Sequence, residues 1–178
     1  MKAIILAAGY GTRLKPLTDD LPKPMIKING RPVLEHIANN LNYFGIYDIV
    51  VNTHYLPEKI MKYFGTRFLY SYEPKLLGEK GTIESLKYWL ADDWCVVCNG
   101  DTLSNVNVLD MMRISDGMNI KYMDNGVYAG TRILEPGYLL GDRKSASFES
   151  KDCFWIDIGT FKGLERAVKE YEEISKMS

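Results

Sequence analysis

Two glycines and a group of cations follow the first apolar run of the sequence. The run leads into Gly9-Tyr10-Gly11-Thr12-Arg13, where the absence of Cβ atoms lets backbone N–H groups converge on an anion. Basic residues outnumber acidic ones between positions 13 and 31, where Arg13, Lys15, Lys23, Lys27 and Arg31 stand against Asp19 and Asp20. Because arginine grips phosphate oxygens in a fork and lysine adds a movable charge, we predict a polyphosphate-binding loop. The open alternative is a glycine turn in a solvated basic loop.

Two common phosphate-loop motifs do not account for this segment. A dinucleotide-binding fingerprint needs a third glycine where the sequence has Leu14. It also needs an acidic residue after the second strand, which ends at Asn52 instead. A Walker-type G-x-x-x-x-G-K-[ST] motif is absent from the sequence. The loop is therefore expected to hold phosphates in another arrangement.

Short apolar segments alternate with amphipathic ones over the first hundred residues. Strands are predicted at 2–7, 48–52, 67–72 and 94–98, and helices from Pro32 up to Gly45, at 57–64, and at 82–91 with Thr82 as N-cap. The alternation implies a Rossmann-like three-layer α/β/α fold with a mostly parallel mixed sheet. Ligands of such sheets bind beyond the carboxyl ends of the strands. This rule directs attention to residues 8–11 and 99–101.

The last third of the sequence is less regular. A helix is predicted at 107–114, strands near 118–123, 127–133 and 154–156, and a final helix from Phe161 to about Ile174 with Phe161, Leu164, Val168 and Tyr171 on one face. The stretch up to residue 150 is ambiguous. Because no linker or repeat interrupts the pattern, we predict one domain over residues 1–178.

Composition argues against several classes of protein. Twenty-two Lys and Arg against 23 Asp and Glu give a net charge of -1, so we expect neither nucleic acid nor a membrane as a partner. Of the three cysteines, Cys95 and Cys98 lie in the apolar run WCVVC, which disfavours a disulfide framework or a zinc site. The apolar start is too short for a secretion signal, and no segment reaches membrane length. We therefore expect a cytoplasmic protein.

Five motifs, from LAAGYGTRLKPLT with LPKPM near the start to NGDT and FWIDIGT further on, together resemble those of one family, the sugar-1-phosphate nucleotidyltransferases. LAAGYGTRLKPLT with the following LPKPM is similar to the family signature G-x-G-T-R-x-x-P-L-T…P-K-P. VNTHYLPEKI resembles its second strand and helix, LLGEKGTIESL its base-binding loop, NGDT its metal-binding turn and FWIDIGT its second acidic motif. They follow the family's order from Met1 to about Thr160. The resemblance implies a nucleotide-diphospho-sugar transferase-like fold.

The resemblance also implies roles for individual residues. The nucleotide-binding residues would be Leu6, Ala8 and Gly9 beside the base, Gly11, Thr12, Arg13 and Lys23 at the phosphates, and Gly78 and Gly81 around base and ribose. Asp101 and Asp157 would hold Mg²⁺, the implied cofactor. Catalysis would fall to Arg13, Lys23 and Asp101. An acceptor phosphate with a second pKa of about 6 is already ionised, so no general base is needed.

The acceptor side departs from the family pattern. We find no counterpart of the Glu-Lys pair that grips the sugar and its phosphate, so the acceptor candidates are Lys121, Asn125, Gly130 and Lys144. Residues 1–105 would form the nucleotide-binding half, and 106–178 the half with the acceptor and the second metal ligand. Glu79 stands where relatives have a small residue or Thr. It would either accept hydrogen bonds from guanine or cytosine amino groups or favour the start of the next helix.

The expected partners are a nucleoside triphosphate and a sugar 1-phosphate. The reaction would transfer the nucleoside monophosphate and release pyrophosphate, with the metal, Arg13 and Lys23 stabilising the charges. Two alternatives stay open: a non-sugar acceptor such as phosphocholine, and a noncatalytic nucleotide-binding module. The sequence predicts neither the base nor the sugar, and a homo-oligomer is left open.

Overall fold

The computed structural model of the 178-residue chain describes residues 1–90, 93–115, 118–137, 145–150 and 153–174. A central sheet contains, from edge to edge, β10 (Ser145–Phe148), β8 (Asn119–Asp124), β9 (Val127–Leu134), β6 (Cys95–Asn99), β1 (Lys2–Leu6), β4 (Asp48–Thr53) and β5 (Leu69–Tyr72). Two small antiparallel pairs accompany it: β2 (Lys27–Ile28) with β3 (Arg31–Pro32), and β7 (Thr102–Ser104) with β11 (Trp155–Asp157).

The sheet is mixed, as the sequence predicts. Strands β4 and β6 run parallel to β1 on its two sides, and β5 runs parallel to β4. Strand β9 runs antiparallel to both β6 and β8, while β10 returns parallel to β8. The carboxyl ends of β1, β4 and β6 therefore meet at one edge, where the predicted ligand-binding segments begin.

Helices cover both faces of the sheet. They are α1 (Val33–Tyr43), α2 (Pro57–Phe64), α3 (Gly78–Ser85), α4 (Lys87–Leu90), α5 (Val108–Arg113) and α6 (Phe161–Ile174). In β1, Ile4 and Ile5 are both fully buried but belong to different core clusters, because side chains alternate along a strand. The cluster of Ile4 includes Ile83 of α3 and Leu90 of α4, and that of Ile5 includes Leu34 of α1. This arrangement confirms the three-layer α/β/α class.

The boundaries of two predicted helices depend on proline and glycine. Helix α1 follows Pro32 and is followed by Gly45 at φ +78°, and α2 begins at Pro57 and is followed by Gly65 at φ +52°. Both patterns match the prediction of a proline start and a glycine stop. No helix within the described residues is long and apolar enough to cross a membrane.

Several local predictions were wrong. The helix predicted at 82–91 begins earlier, at Gly78, and divides into α3 and α4. Thr82 is therefore not an N-cap; it lies inside α3, which runs from Gly78 to Ser85. The short polar strands β7 and β10 have no apolar periodicity and were not predicted. In α6, Phe161 and Val168 are about half exposed, so they do not belong to the packed face.

Candidate active site

The NGDT turn is fixed against the end of β1. The Gly100 backbone N–H donates to the Leu6 carbonyl at 2.9 Å. A Cβ at position 100 would lie 2.6 Å from that carbonyl oxygen, so only glycine permits this approach. The close contact brings Asp101, which follows Gly100, next to the start of the phosphate loop.

The phosphate loop is folded over a buried threonine. Gly11 has φ +68°, a conformation that favours glycine, and a Cβ there would lie 3.0 Å from Thr18 Cγ2. Thr18 is fully buried, and its Oγ1 donates to the Gly11 carbonyl at 2.8 Å. Leu14 is also fully buried, whereas Gly9 and Thr12 are exposed. Leu14 and Thr18 thus anchor the loop in the protein interior, while the segment around Gly9 and Thr12 stays accessible.

Two cations of this loop face acids at the sheet edge. Lys23 Nζ contacts Asp101 Oδ2, and both side chains are mostly buried. The guanidinium of Arg13 and the carboxylate of Asp157 both lie beside Gly159. A Cβ added at that glycine would be 2.7 Å from Arg13 Nη2 and 2.8 Å from Asp157 Oδ1. Positive charge from the loop therefore lies next to both of the predicted metal-binding carboxylates.

Two neighbouring strands bring the carboxylates together although they are far apart in sequence: Asp101 directly precedes β7, and Asp157 ends β11. Thr102 of β7 is paired with Asp157 of β11, and the Ile158 N–H donates to the Asp101 carbonyl at 3.0 Å. The Asp157 Oδ1 accepts from the Gly159 N–H at 2.6 Å. Such a pair of oxygen donors suits a hard divalent cation. Within the described residues no group of three or more His, Cys, Asp and Glu residues could hold a metal, so further ligands would come from phosphate oxygens or water.

A buried network behind the predicted nucleotide-binding edge was not anticipated from the sequence. Glu73 is 1% exposed, and its carboxylate accepts from Asn52 Nδ2 at 2.9 Å, Thr82 Oγ1 at 2.5 Å and the Leu77 N–H at 3.1 Å. Asn52 Oδ1 in turn accepts from the Ala7 N–H at 2.6 Å. The network ties the end of β1 to the segment that starts α3. Its sequence signal is a polar residue at the end of one predicted strand, Asn52, and another directly after the next, Glu73.

His54 extends this network to the phosphate loop. Its Nδ1 donates to the Glu73 carbonyl at 2.7 Å, so its Nε2 is free to accept from the Tyr10 hydroxyl at 2.8 Å. Tyr55 contacts the ring of Tyr10 edge-on, and its hydroxyl donates to the Thr18 carbonyl at 2.9 Å. His54 therefore positions the loop rather than acting as a metal ligand.

The segment predicted to surround base and ribose forms the start of α3. Gly78 opens the helix at φ +69°, and a Cβ on Gly81 would lie 2.8 Å from Leu77 Cβ. Glu79 lies in the first turn of the helix, which agrees with the interpretation that its charge favours the start of this helix. Its carboxylate also pairs with Arg132 of β9 at 2.5 Å, a contact that the sequence did not suggest.

Two of the predicted acceptor residues lie close to the NGDT turn or to strand β11, which pairs with β7. Gly130 of β9 has φ +79°, and a Cβ there would lie 2.9 Å from Thr102 Oγ1. Asn125, at φ +49°, lies in the turn between β8 and β9. The adjacent Asp124 accepts from Trp155 Nε1 at 2.7 Å, so this turn is tied to the strand that carries Asp157.

An open cavity of about 410 Å³ lies beside the same turn. Its lining consists of Met123, Asp124, Asn125, Glu149 and Ser150. Lys121 is exposed in the middle of β8, opposite Arg132, and does not line this cavity. Lys144 lies outside the described residues. The structure therefore brings Asn125 and Gly130, more than Lys121, to the edge where Asp101 lies.

A parallel sheet edge with a glycine-rich, cation-bearing loop and two nearby carboxylates is typical of α/β proteins that handle phosphorylated ligands. The family model for nucleotidyl transferases matches residues 2–123. The chain belongs to this family, which confirms the resemblance; the matched residues include four of the five motifs and end before FWIDIGT.

Comparisons with individual proteins agree with this assignment. The chain is 36% identical over 141 residues to the bifunctional protein GlmU of Methanococcus maripaludis, covering 78% of this chain and 33% of that protein. It is 41% identical over 114 residues to the D-glycero-alpha-D-manno-heptose 1-phosphate guanylyltransferase of Campylobacter jejuni, covering 61% of this chain and 51% of that enzyme. The chain thus spans a third to a half of the length of these relatives.

A solved structure shows the same fold. HddC from Yersinia pseudotuberculosis superposes with a TM-score of 0.81 over 96% of this chain and 99% of that one, at 22% sequence identity. The same protein has also been solved in complex with GMP-PN. At this level of identity the similarity concerns the fold alone.

Proposed function

We propose that this chain transfers a nucleoside monophosphate from a nucleoside triphosphate to a sugar 1-phosphate. An oxygen of the acceptor phosphate attacks the α-phosphorus, a new P–O bond forms, the bond to the β-phosphate breaks, and pyrophosphate leaves with its electrons. The observation that carries the proposal is the meeting of Arg13 and Lys23 with Asp157 and Asp101 at one sheet edge. The guanylyltransferase named above, which acts on a heptose 1-phosphate, supports it.

Each charged group has a role that suits this reaction. Asp101 and Asp157 would hold Mg²⁺, and the bound ion would neutralise phosphate oxygens. Arg13, beside Asp157, would grip phosphate oxygens in a fork. Lys23 would turn its charge toward the α-phosphate and the leaving pyrophosphate. Catalysis would then come from positioning and charge stabilisation, without a general base.

The acceptor would lie on the side of Asp101 that faces β9. The nucleotide loop follows β1, and β6 separates β1 from β9, so the two substrates would approach Asp101 from opposite sides. Gly130 and Asn125 lie on that flank, and Lys121 and Lys144 stay candidates of the same proposal. We also propose a cytoplasmic location, since nucleoside triphosphates are made and used there.

A direct assay tests the proposal. The chain is incubated with Mg²⁺, each of the four common nucleoside triphosphates and a panel of sugar 1-phosphates, and pyrophosphate release is measured. We expect release with at least one pair, a product mass equal to the nucleotide sugar, and no release without acceptor. If no pair reacts, although one triphosphate raises the melting temperature, the chain is a nucleotide-binding module instead.

A second candidate is transfer to a small non-sugar phosphate such as phosphocholine. The missing Glu-Lys pair favours it, since that pair holds the sugar in the family that the sequence resembles. Offering a mixed pool of sugar 1-phosphates and phosphorylated alcohols separates the candidates by product mass. A product from phosphocholine alone would replace the sugar acceptor in the proposal.

A further inference from the structure

A polar cluster lies on the sheet face beneath α3, apart from the metal-binding acids. It consists of Glu79 from the first turn of α3 and of Tyr128 and Arg132 from β9. Arg132 Nη2 lies 2.5 Å from Glu79 Oε1, and the two side chains are 15% and 34% exposed. The cluster joins the nucleotide-side helix to the strand on the acceptor flank.

Two polar atoms of the cluster lack a hydrogen-bond partner among the described residues. Within the described residues, neither the Tyr128 hydroxyl nor Arg132 Nε makes a hydrogen bond, although both atoms are buried. Burial, and next the nearby Glu79 carboxylate, raise the pKa of Tyr128, so its hydroxyl stays neutral at physiological pH. Buried groups of this kind are costly unless something binds them, and they therefore suggest a ligand.

The position of the cluster fits the second substrate. Tyr128 and Arg132 flank Gly130, which packs against Thr102 next to Asp101. At about 3.3 Å per residue, each lies roughly 7 Å along the strand from Gly130. A sugar whose phosphate lies at Asp101 and whose ring extends over β9 would reach these side chains.

We infer that Glu79, Tyr128 and Arg132 select the acceptor by binding the hydroxyl groups of its sugar. Arg132 Nε donates to a hydroxyl oxygen, Glu79 accepts a hydroxyl hydrogen, and Tyr128 does either. Because the charges of Glu79 and Arg132 offset each other, the cluster suits an uncharged polyol better than a second anionic group. The inference rests on the proposed function and extends it to the choice of sugar.

Tyr128→Phe tests the inference with little risk to the fold, because the oxygen it removes has no hydrogen-bond partner in the part of the chain that the structure describes. With the sugar 1-phosphate that wild type uses best, we expect KM to rise about tenfold or more and the preference over its deoxy analogues to shrink. The Kd for the nucleoside triphosphate and the melting temperature should stay within error. Tyr43→Phe, at an 83% exposed position on α1, is the matched control.

Arg132→Lys keeps the charge beside Glu79 but loses the planar guanidinium and its Nε donor, and we expect the same loss of selectivity. If wild type is active and both variants keep its acceptor KM and its selectivity, the inference is overturned. The proposed function would then still stand. Absence of product from wild type with every substrate pair would overturn the proposed function and this inference with it.

Discussion

Lys23, from the loop after β1, forms an ion pair with Asp101, which follows β6. The two residues are 78 positions apart in the sequence, and their side chains are only 16% and 17% exposed. Solvent and salt screen such a pair less than a surface pair. The pair therefore couples a cation of the phosphate loop to a carboxylate that we propose as a metal ligand.

Asp101→Asn should remove the divalent-ion site while keeping the shape of the turn. We expect the rate of pyrophosphate release to fall at least about a hundredfold, because a neutral amide cannot offset the charge of the cation. Circular dichroism should show an intact fold. Asp110→Asn is the control, since Asp110 pairs only with Arg113 on the surface of α5 among the ion pairs described. Equal activity in the two variants would contradict the role given to Asp101.

Lys23→Ala should lower the rate by roughly a hundredfold to a thousandfold, the usual effect of removing one charge-stabilising donor. The matched control is Lys15→Ala in the same loop, because Lys15 pairs with Asp19 at 3.0 Å and both side chains are at least half exposed. That control should retain most of its activity. Single-turnover kinetics with saturating nucleotide measure the chemical step directly, and full activity of the Lys23 variant would exclude its proposed role.

Gly159→Ala should disturb the two charged groups beside this glycine, the guanidinium of Arg13 and the carboxylate of Asp157. The added Cβ would lie 2.7 Å from Arg13 Nη2 and 2.8 Å from Asp157 Oδ1, so one of these groups has to move. We expect the Mg²⁺ concentration for half-maximal rate to rise several-fold, as measured by magnesium titration of the assay. Gly45→Ala serves as the control for strain alone: Gly45 lies at φ +78°, and apart from its chain neighbours no described residue has an atom within 4 Å of the added Cβ. It should cost about 1 kcal/mol of stability and leave the magnesium dependence unchanged.

Glu73→Ala should destabilise the fold. The change leaves the buried donors of Asn52 and Thr82 and the Leu77 N–H without their acceptor, for which we expect a loss of about 3 kcal/mol in the free energy of unfolding. Urea denaturation measures this loss. Glu58→Ala, at an exposed position in the first turn of α2, should cost less than about 1 kcal/mol. Similar stabilities of the two variants would mean that the network does not support the fold.

The parallel half of the fold was predictable because its signals are local. Pro57 and Gly65 mark the ends of α2, and the run WCVVC is apolar enough to identify a fully buried strand. The strands that pair antiparallel, which follow β6 in the sequence, have weaker sequence signals. Strand β7 has three residues, one of them partly exposed, and is held by its pairing with β11 rather than by its own composition. Such long-range pairing leaves little trace in a short segment.

In the candidate site, too, the residues with local sequence signals were predictable and those joined by long-range contacts were not. Gly11, Arg13 and Lys23 belong to one short segment of the sequence, so a common role could be predicted for them without the structure. The contact between Glu79 and Arg132 joins residues 53 positions apart by registers that only the folded sheet defines. Glu73 escaped attention because its environment, not its type, makes it a buried acceptor.

The central claim is that Asp101 and Asp157 hold one divalent ion beside the phosphates gripped by Arg13 and Lys23. Crystals soaked with Mn²⁺ and a nonhydrolysable nucleoside triphosphate, measured at the manganese absorption edge, test it directly. We predict one anomalous peak within about 2.0–2.4 Å of a carboxylate oxygen of each aspartate and in contact with a phosphate oxygen. A manganese peak elsewhere, or phosphates bound away from Arg13 and Lys23, would contradict the account.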